Sequence, residues 1–345
     1  MTGNAPPLLP ETRDEYILPL RWQDDSALED LVCYLEQLCS WIPVTVIDGS
    51  PDELFHRHAA RFPPGVKHLR PDAGGEGNGK VAAVLTAVRL STAERLVLAD
   101  DDVRYTREAL TAVVAGLDSA EVVRPQNYFS DWPWHALWDT SRTLVNRALA
   151  ADFPGTLAVR RAALEATGGY EPVLFENLEL IRTVTAAGGR EQRAPALFVA
   201  RIPPSARHFL RQRVRQAYDD FAQPGRLASE LALLPILAGI LCLPVRRRMP
   251  ALLGAAVAGM ALAETGRRRD QGRQVFPFRT VLFTPFWVLE RAVCVWIALA
   301  LRLRGGVPYA GTRLKTAAHS PATLRLRHAG KIRPVPAPFQ DRKQP

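Results

Sequence analysis

The chain has 345 residues, enough for one sizeable α/β domain with an appendage, and 47% of them are hydrophobic, so a substantial core is assured. Its formal charge is +9, nearly all of it from Arg, a balance that suits either nucleic acid or an acidic membrane surface. The runs Arg246-Arg247-Arg248 and Arg267-Arg268-Arg269 flank apolar stretches near the carboxyl end, which favours a membrane surface and argues against nucleic acid.

Residues 1–15 carry prolines and acids but no apolar core, so no secretory signal peptide is expected. Residues 1–13 read as a disordered terminus, and the domain that follows as cytoplasmic. Residues 16–22 have strand composition, and 26–41 place Leu28, Leu31, Leu35 and Leu38 at helical spacing. A second strand at 43–47 ends in Asp48-Gly49-Ser50, and a short helix leads to a strand at 66–69. A Gly-rich segment from Gly74 to Lys80 opens a helix over 81–90, which delivers the chain to the apolar run Leu96-Val97-Leu98-Ala99. Beyond it come a helix at 107–117, a strand at 121–124, an aromatic stretch at 128–134 before a long helix, and a short strand through Val159. Another helix ends at Gly168-Gly169; 176–187 is helical, 197–200 extended and 206–221 a basic helix. Strand-helix alternation of this kind predicts a parallel sheet joined by right-handed crossovers.

From Leu231 the character changes. Segments 231–245 and 249–263 are free of charged residues, and 281–301 is apolar except for Glu290-Arg291 at its centre. Each uninterrupted apolar run falls short of the roughly 20 residues that span a bilayer comfortably. A pair of short transmembrane helices or a re-entrant hairpin is expected, with buried soluble helices as the alternative. The stretch from about His328 onward is basic and Pro-containing and reads as disordered. Cys33, Cys39, Cys242 and Cys294 have neither metal-ligand spacing nor a disulfide framework, and read as structural thiols.

The run before Asp100-Asp101-Asp102 has the length and residue types of a buried parallel strand. The acids therefore stand at its carboxyl end, the edge where open α/β sheets bind ligands. Asp100 and Asp102 are two apart, so a strand loosening into a loop can turn both carboxylates toward one divalent cation that also holds a diphosphate. A solvated acidic turn is the alternative for such a triplet taken alone.

Taken in order, these landmarks resemble the inverting family-2 glycosyltransferases, GT-A fold enzymes that use nucleotide-activated sugars, and most of all their membrane-attached branch. The likeness covers about 16–220. Asp48-Gly49-Ser50 stands where the family has an Asp-Asp-Gly-Ser strand end, which implies that Asp48 recognises the base or ribose; capping a turn is the alternative. Gly79-Lys80 resembles the family's Gly-Lys-Ala helix start, which would place Lys80 and free backbone N–H groups near the nucleotide. Asp100 and Asp102 match its Asp-x-Asp motif, which implies Mg²⁺ or Mn²⁺, with Asp101 between them on the donor side.

Gly168-Gly169-Tyr170 resembles the step that leads into the family's Glu-Asp pair, whose Asp is the general base. Here the chain reads Glu176-Asn177-Leu178-Glu179, and the amide of Asn177 cannot accept a proton from an acceptor hydroxyl. The resemblance implies Glu176, or after it Glu179, in that role, unless the base lies elsewhere; helix-start acids favoured by the macrodipole are the alternative. Gln212-Arg213-Val214-Arg215-Gln216 resembles the family's Gln-x-x-Arg-Trp motif, with Gln216 in place of Trp. Arg215 would then neutralise the leaving diphosphate, and Gln212 would help order that loop. Trp132, Trp134 and Trp138 are substitutes for the missing acceptor platform, or core residues. The late Gly305–Arg313 stretch is reminiscent of a motif that follows the last membrane segment in such enzymes, though Arg313 would serve equally as an interfacial anchor.

The resemblance implies a GT-A domain over 14–226, membrane-associated helices over 227–303 and a basic tail over 304–345. It implies transfer of a sugar from a nucleotide-sugar donor, UDP-linked by expectation, to a lipid or glycan acceptor hydroxyl at the cytoplasmic face of a membrane. A polyprenyl-phosphate acceptor, a polysaccharide synthase and a non-catalytic nucleotide-sugar-binding membrane protein are the alternatives.

Overall fold

The alternation of side chains along the strands sets up two cores. In β1 (Asp14–Leu20), Tyr16, Leu18 and Leu20 enter one core and Ile17 the other; in β4 (Arg95–Ala99), Val97 and Ala99 part from Leu96 and Leu98 in the same way. A sheet with both faces apolar must be covered on both sides. Leu31, Leu35 and Leu38 of α1 (Leu28–Cys39) and Val113 of α4 (Arg107–Ala115) cover the first face. The second is covered by Val84 and Ala87 of α3 (Gly79–Leu90), Leu164 of α6 (Arg161–Thr167), and Leu180 and Val184 of α7 (Glu176–Ala186).

This computed structural model describes residues 13–72, 77–309 and 312–335. Most of the terminus expected to be disordered over 1–13, together with Gly74, Gly75, Glu76, Ala310, Gly311 and residues 336–345, lies outside them. The remaining strands are β2 (Val44–Asp48), β3 (Val66–Leu69), β5 (Val103–Arg104), β6 (Val122–Phe129), β7 (Thr156–Arg160) and β8 (Glu191–Arg201), with α2 (Asp52–Arg61) joining β2 to β3. They form one eight-stranded sheet in the order β3-β2-β1-β4-β7-β6-β8-β5. The block β3-β2-β1-β4 is parallel, as is β6 with β8, while β7 runs antiparallel to both β4 and β6, and β5 to β8. The expected α/β sheet is therefore mixed but mostly parallel. Parallel order carries the ends of β2 and β4 to one edge, with Asp48 on one and Asp100 just past the other. β8 is far longer than the expected 197–200, because its first half is Glu191-Gln192-Arg193, polar residues that carry no apolar alternation but pair with β6.

The carboxyl-terminal part departs further from expectation. After α5 (Trp134–Leu149) and α8 (Ala206–Tyr218) come α9 (Pro224–Leu241), α10 (Val245–Arg268), α11 (Arg279–Leu282) and α12 (Thr284–Leu303). α9 and the stretch Val245–Gln274 that includes α10 are long and apolar enough to cross a membrane, and only 6% and 11% of their apolar windows are buried. α10 is moored to α5 at Gly266, where a Cβ would stand 1.8 Å from the Leu144 carbonyl oxygen, so only glycine allows the approach. α12 is different. Its inner face, with Arg291, Val295 and Ala298 each 0% exposed, packs on α8 and α9, and Arg291 pairs with Asp220 at 2.9 Å. The charged centre of 281–301 is thus part of the protein interior.

Nor does the tail hang free as far as it is described. A hairpin of β9 (Val307–Tyr309) and β10 (Thr312–Leu314) precedes α13 (Pro321–His328), which packs on α7. Leu324 is 0% exposed, and the Ile332 amide donates to the Ala187 carbonyl at 2.9 Å. Two apolar residues in a basic stretch suffice to anchor it, which corrects the expectation of disorder from His328 to at least Val335.

Candidate active site

A cavity of about 330 Å³ opens beside the edge where β4 ends, and its wall is built from residues far apart in sequence. Lys80, Asp100, Asp102, Glu176, Gln212 and Arg215 all line it. Among the residues singled out in the sequence, these come together. Asp48, Asp101 and Glu179 do not line it.

Lys80 owes its position to the start of α3. The Asn78 side chain accepts from the Lys80 amide at 3.0 Å, capping the helix, while Asn78 Nδ2 donates to the Val173 carbonyl and is itself 1% exposed. From that anchored turn the Lys80 ammonium reaches Asp100 at 2.5 Å and Glu176 at 2.8 Å. Burial works against its charge, but the two carboxylates outweigh burial and hold its pKa well above the ordinary lysine value. Asp100 is fixed by its own amide, which donates to the Gly155 carbonyl at 2.9 Å, and by the approach of Gly155, where a Cβ would meet Asp100 Oδ2 at 2.5 Å. Asp102 pairs with Arg201 at 2.6 Å, and the same guanidinium is 4.0 Å from Asp100, so a cation already sits toward both acids. For Arg201, burial is outweighed by Asp102 and Asp100, which raise its pKa.

Two carboxylates on one wall, with the Gly155 backbone leaving room beside Asp100, offer the oxygen-only donors that suit Mg²⁺ or Mn²⁺. The donor set fits. Asp101 points the other way: it accepts from Trp22 Nε1, and burial, then Asp102, push its pKa up.

Asp48 is 0% exposed. Its Oδ1 accepts from the Ser50 amide at 2.8 Å, and its Oδ2 lies 2.6 Å from His58 Nδ1 and 3.1 Å from His68 Nε2. The turn-capping alternative describes this geometry. Burial raises its pKa, but the hydrogen bonds from His68, His58 and Ser50 win and hold it well below the usual carboxylate range. The three ligand atoms are close enough to suggest a metal site, yet a hydrogen-bonding distance of 2.6 Å leaves no room for an ion between Asp48 and His58. Glu179 is likewise 0% exposed and accepts from the His319 amide at 2.7 Å, holding the segment before α13.

Several cavity residues gave no sequence signal. Asp139 pairs with Arg213 at 3.0 Å; burial is overcome by Arg213 and Arg142, which bring its pKa down to about 2. Arg201 is brought to Asp102 by the pairing of Val103 with Arg201 across β5 and β8, a register that no local pattern reveals. Asp219, at the end of the basic α8, also lines the cavity, and its Oδ1 is buried with no hydrogen-bond partner. Burial drives its pKa to about 7; Arg215 opposes that rise, and Asp220 and Glu176 add to it. Arg215 stacks on Tyr309 at 4.9 Å and makes no ion pair among the described residues, so its guanidinium edge is available to an anion. Phe209 and Arg213 are shared with an adjoining recess of about 380 Å³, otherwise lined by Trp138, Leu210, Phe286, Leu289 and Glu290. Of the tryptophans, Trp138 donates to Glu290 at 2.8 Å, while Trp134 is 46% exposed near the recess and packs on Phe209.

No family profile and no curated protein matches the sequence. Solved structures do. A mannosyltransferase from Pyrobaculum calidifontis, determined with GDP-mannose and Mn²⁺, aligns over 82% of this chain and 87% of its own at 22% identity and a TM-score of 0.48. Glucosyl-3-phosphoglycerate synthase from Mycobacterium tuberculosis, determined with Mn²⁺, UDP and phosphoglyceric acid, aligns over 58% of this chain and 73% of its own at 15% identity and a TM-score of 0.42.

Proposed function

We propose that the protein is a metal-dependent inverting glycosyltransferase of the GT-A type, which moves a sugar from a nucleotide-sugar donor, UDP-linked by preference, to an acceptor held at a membrane. The observation that carries the reading is the convergence on one cavity of Lys80, Asp100, Asp102, Glu176 and Arg215, drawn from four separate segments. A Mg²⁺ or Mn²⁺ ion held by Asp100 and Asp102 would supply positive charge to offset the donor diphosphate. Arg215, also on the cavity wall, would present a planar fork to phosphate oxygens, and stacking on Tyr309 limits its motion. Lys80 holds Asp100 and Glu176 together, and its ammonium can turn to the incoming phosphate. Direct displacement at the anomeric carbon inverts that centre.

The acceptor side supports a membrane location. α9 has 18 residues, about 27 Å of helix, close to the roughly 30 Å hydrocarbon thickness of a bilayer. Leu234, Ile236 and Leu241 of α9, Leu253 and Val257 of α10, and Phe286, Leu289 and Val293 on the outer face of α12 are all exposed. Apolar surface this extensive belongs against lipid. The apolar recess beside the cavity belongs to the same side, since it includes Phe286 and Leu289, and it would receive the hydrocarbon of a lipid acceptor whose head group enters the cavity.

Incubating membranes that contain the protein with a panel of radiolabelled nucleotide sugars, followed by lipid extraction, tests the proposal. Label moving into the organic phase with Mn²⁺ and not with chelator supports it. Label that stays entirely with the donor, or is released only as free sugar, contradicts the lipid acceptor.

A further inference from the structure

Six acids line the cavity: Asp100, Asp102, Asp139, Glu176, Asp219 and Asp220. Five of them have a cation within ion-pairing distance: Lys80 for Asp100 and Glu176, Arg201 for Asp102, Arg213 for Asp139, and Arg291 for Asp220. Asp219 has none among the described residues, and its buried Oδ1 has no hydrogen-bond donor. Glu176, the acid that the sequence placed nearest the family's base position, has Oε1 on Lys80 at 2.8 Å and Oε2 on Asn78 at 3.3 Å, whereas Asp219 Oδ1 accepts from nothing among the described residues.

We propose that Asp219 is the catalytic base, taking the proton of the acceptor hydroxyl; this rests on the glycosyl-transfer reading above. As the acceptor oxygen bonds to the anomeric carbon, its proton passes to the Asp219 carboxylate. The bond from that carbon to the diphosphate oxygen breaks, and its electron pair leaves with the nucleoside diphosphate. The products are the inverted glycoside, the nucleoside diphosphate and a neutral Asp219, which returns its proton to solvent. Arg215, one helical turn before Asp219 on the same segment, would lie between the base and the departing diphosphate, so one short segment would serve both ends of the displacement.

The electrostatics suit the task. Burial lifts the Asp219 pKa to about 7; Arg215 on its own helix and Arg142 of α5 oppose the rise, whereas Asp220 beside it and Glu176 of α7 add to it. A base poised there is partly ionised near neutral pH and still basic enough to accept a proton. The same shift has a stability consequence with a definite sign. A carboxyl whose folded pKa is raised contributes stability that is fully present below the ordinary carboxylate value and is lost progressively as pH rises to the folded value, here about 7.

The test uses the full-length protein in detergent and the variants Asp219→Asn and Asp219→Glu, with three readouts. Calorimetry with UDP and Mn²⁺ reports the donor site, single-turnover transfer to extracted lipid reports the chemistry, and the thermal midpoint at pH 4 and pH 8 reports the buried charge. Asp219→Asn is expected to keep UDP affinity within about threefold and to lower the transfer rate by about a hundredfold or more, the usual scale for losing a general base. The wild-type rate should rise with pH through about 7, and that limb should vanish in the variant. Asp219→Asn should also raise the midpoint at pH 8 and leave it nearly unchanged at pH 4, below which the acid is protonated folded or unfolded, whereas a purely structural acid would lower it at both. Asp219→Glu should recover part of the rate. Full transfer by Asp219→Asn with the pH limb intact overturns the proposal while leaving the glycosyl-transfer reading in place. A wild-type protein that binds UDP equally with Mn²⁺ and chelator, and transfers no sugar, overturns both.

Discussion

The ends of β2 and β4 place acids at the same edge of one sheet, yet the two sites behave oppositely. At β2, Asp48 is closed in by His58, His68 and Ser50 and is 0% exposed. At β4, the Asp100 and Asp102 side chains are each 26% exposed and are balanced by cations, Lys80 and Arg201, whose chains are long enough to swing aside. Topology brings acids to the edge; the partners decide what they do there. Short, fully buried partners turn an acid into a fastening for the turn, while flexible cations keep an acid charged, accessible and ready to exchange one positive partner for another.

The largest effect that sharpens this contrast is at β4. Asp102→Asn should lower sugar transfer by on the order of a thousandfold, the several kcal/mol that a metal contributes to the transition state, and should abolish the Mn²⁺ dependence of UDP binding. The fold should be unaffected, which thermal unfolding checks. At β2 the reverse is expected. Asp48→Asn should cost about 3 kcal/mol of stability, the scale for breaking a buried charged network, while leaving UDP affinity in the protein that remains folded unchanged. Because the Asp48 pKa is depressed, its contribution is present above the ordinary carboxylate pKa and is lost as pH falls through the depressed value. Acid unfolding should therefore flatten in the variant.

Glu179→Gln offers a smaller effect of the same structural kind. Its carboxylate accepts from the backbone and ring of His319, so the change should cost about 2 kcal/mol or less and loosen α13, seen as faster amide exchange there, with no change in UDP binding. Arg201→Gln is the finest probe of the β4 side. Removing the cation that sits toward both acids should tighten Mn²⁺ binding about tenfold, an effect of roughly 1.4 kcal/mol. Weaker Mn²⁺ binding in this variant would mean that Arg201 orders the acids instead of competing for them.

Much of this was legible along the chain, for reasons that differ by residue. Asp100, Asp102 and Lys80 follow local rules: a buried strand must end, a helix must start, and the polar residues at those boundaries face the edge. Gln212 and Arg215 were legible only through the resemblance to the family's Gln-x-x-Arg-Trp motif, and both line the cavity from one helix. Arg201 was not, because its place depends on the register of a two-residue strand against a much longer one. Asp219 sat in a segment read as the end of a basic helix, and its isolation depends on where every other cation in the cavity went. The apolar segments divide for a related reason. Composition treats 227–303 as one membrane region, but Glu290 and Arg291 gain partners in Trp138 and Asp220 that only the folded chain provides, so α12 packs on the domain while α9 and α10 keep their apolar faces outward.

The central claim is that Asp100 and Asp102 hold a divalent cation for a nucleoside diphosphate, and calorimetry of UDP binding to the full-length protein in detergent tests it most directly. The account predicts saturable binding with Mn²⁺ that weakens by at least tenfold in chelator, and binding by Asp102→Asn with Mn²⁺ present that is no tighter than that of the wild type in chelator. Equal affinity with Mn²⁺ and with chelator would contradict it.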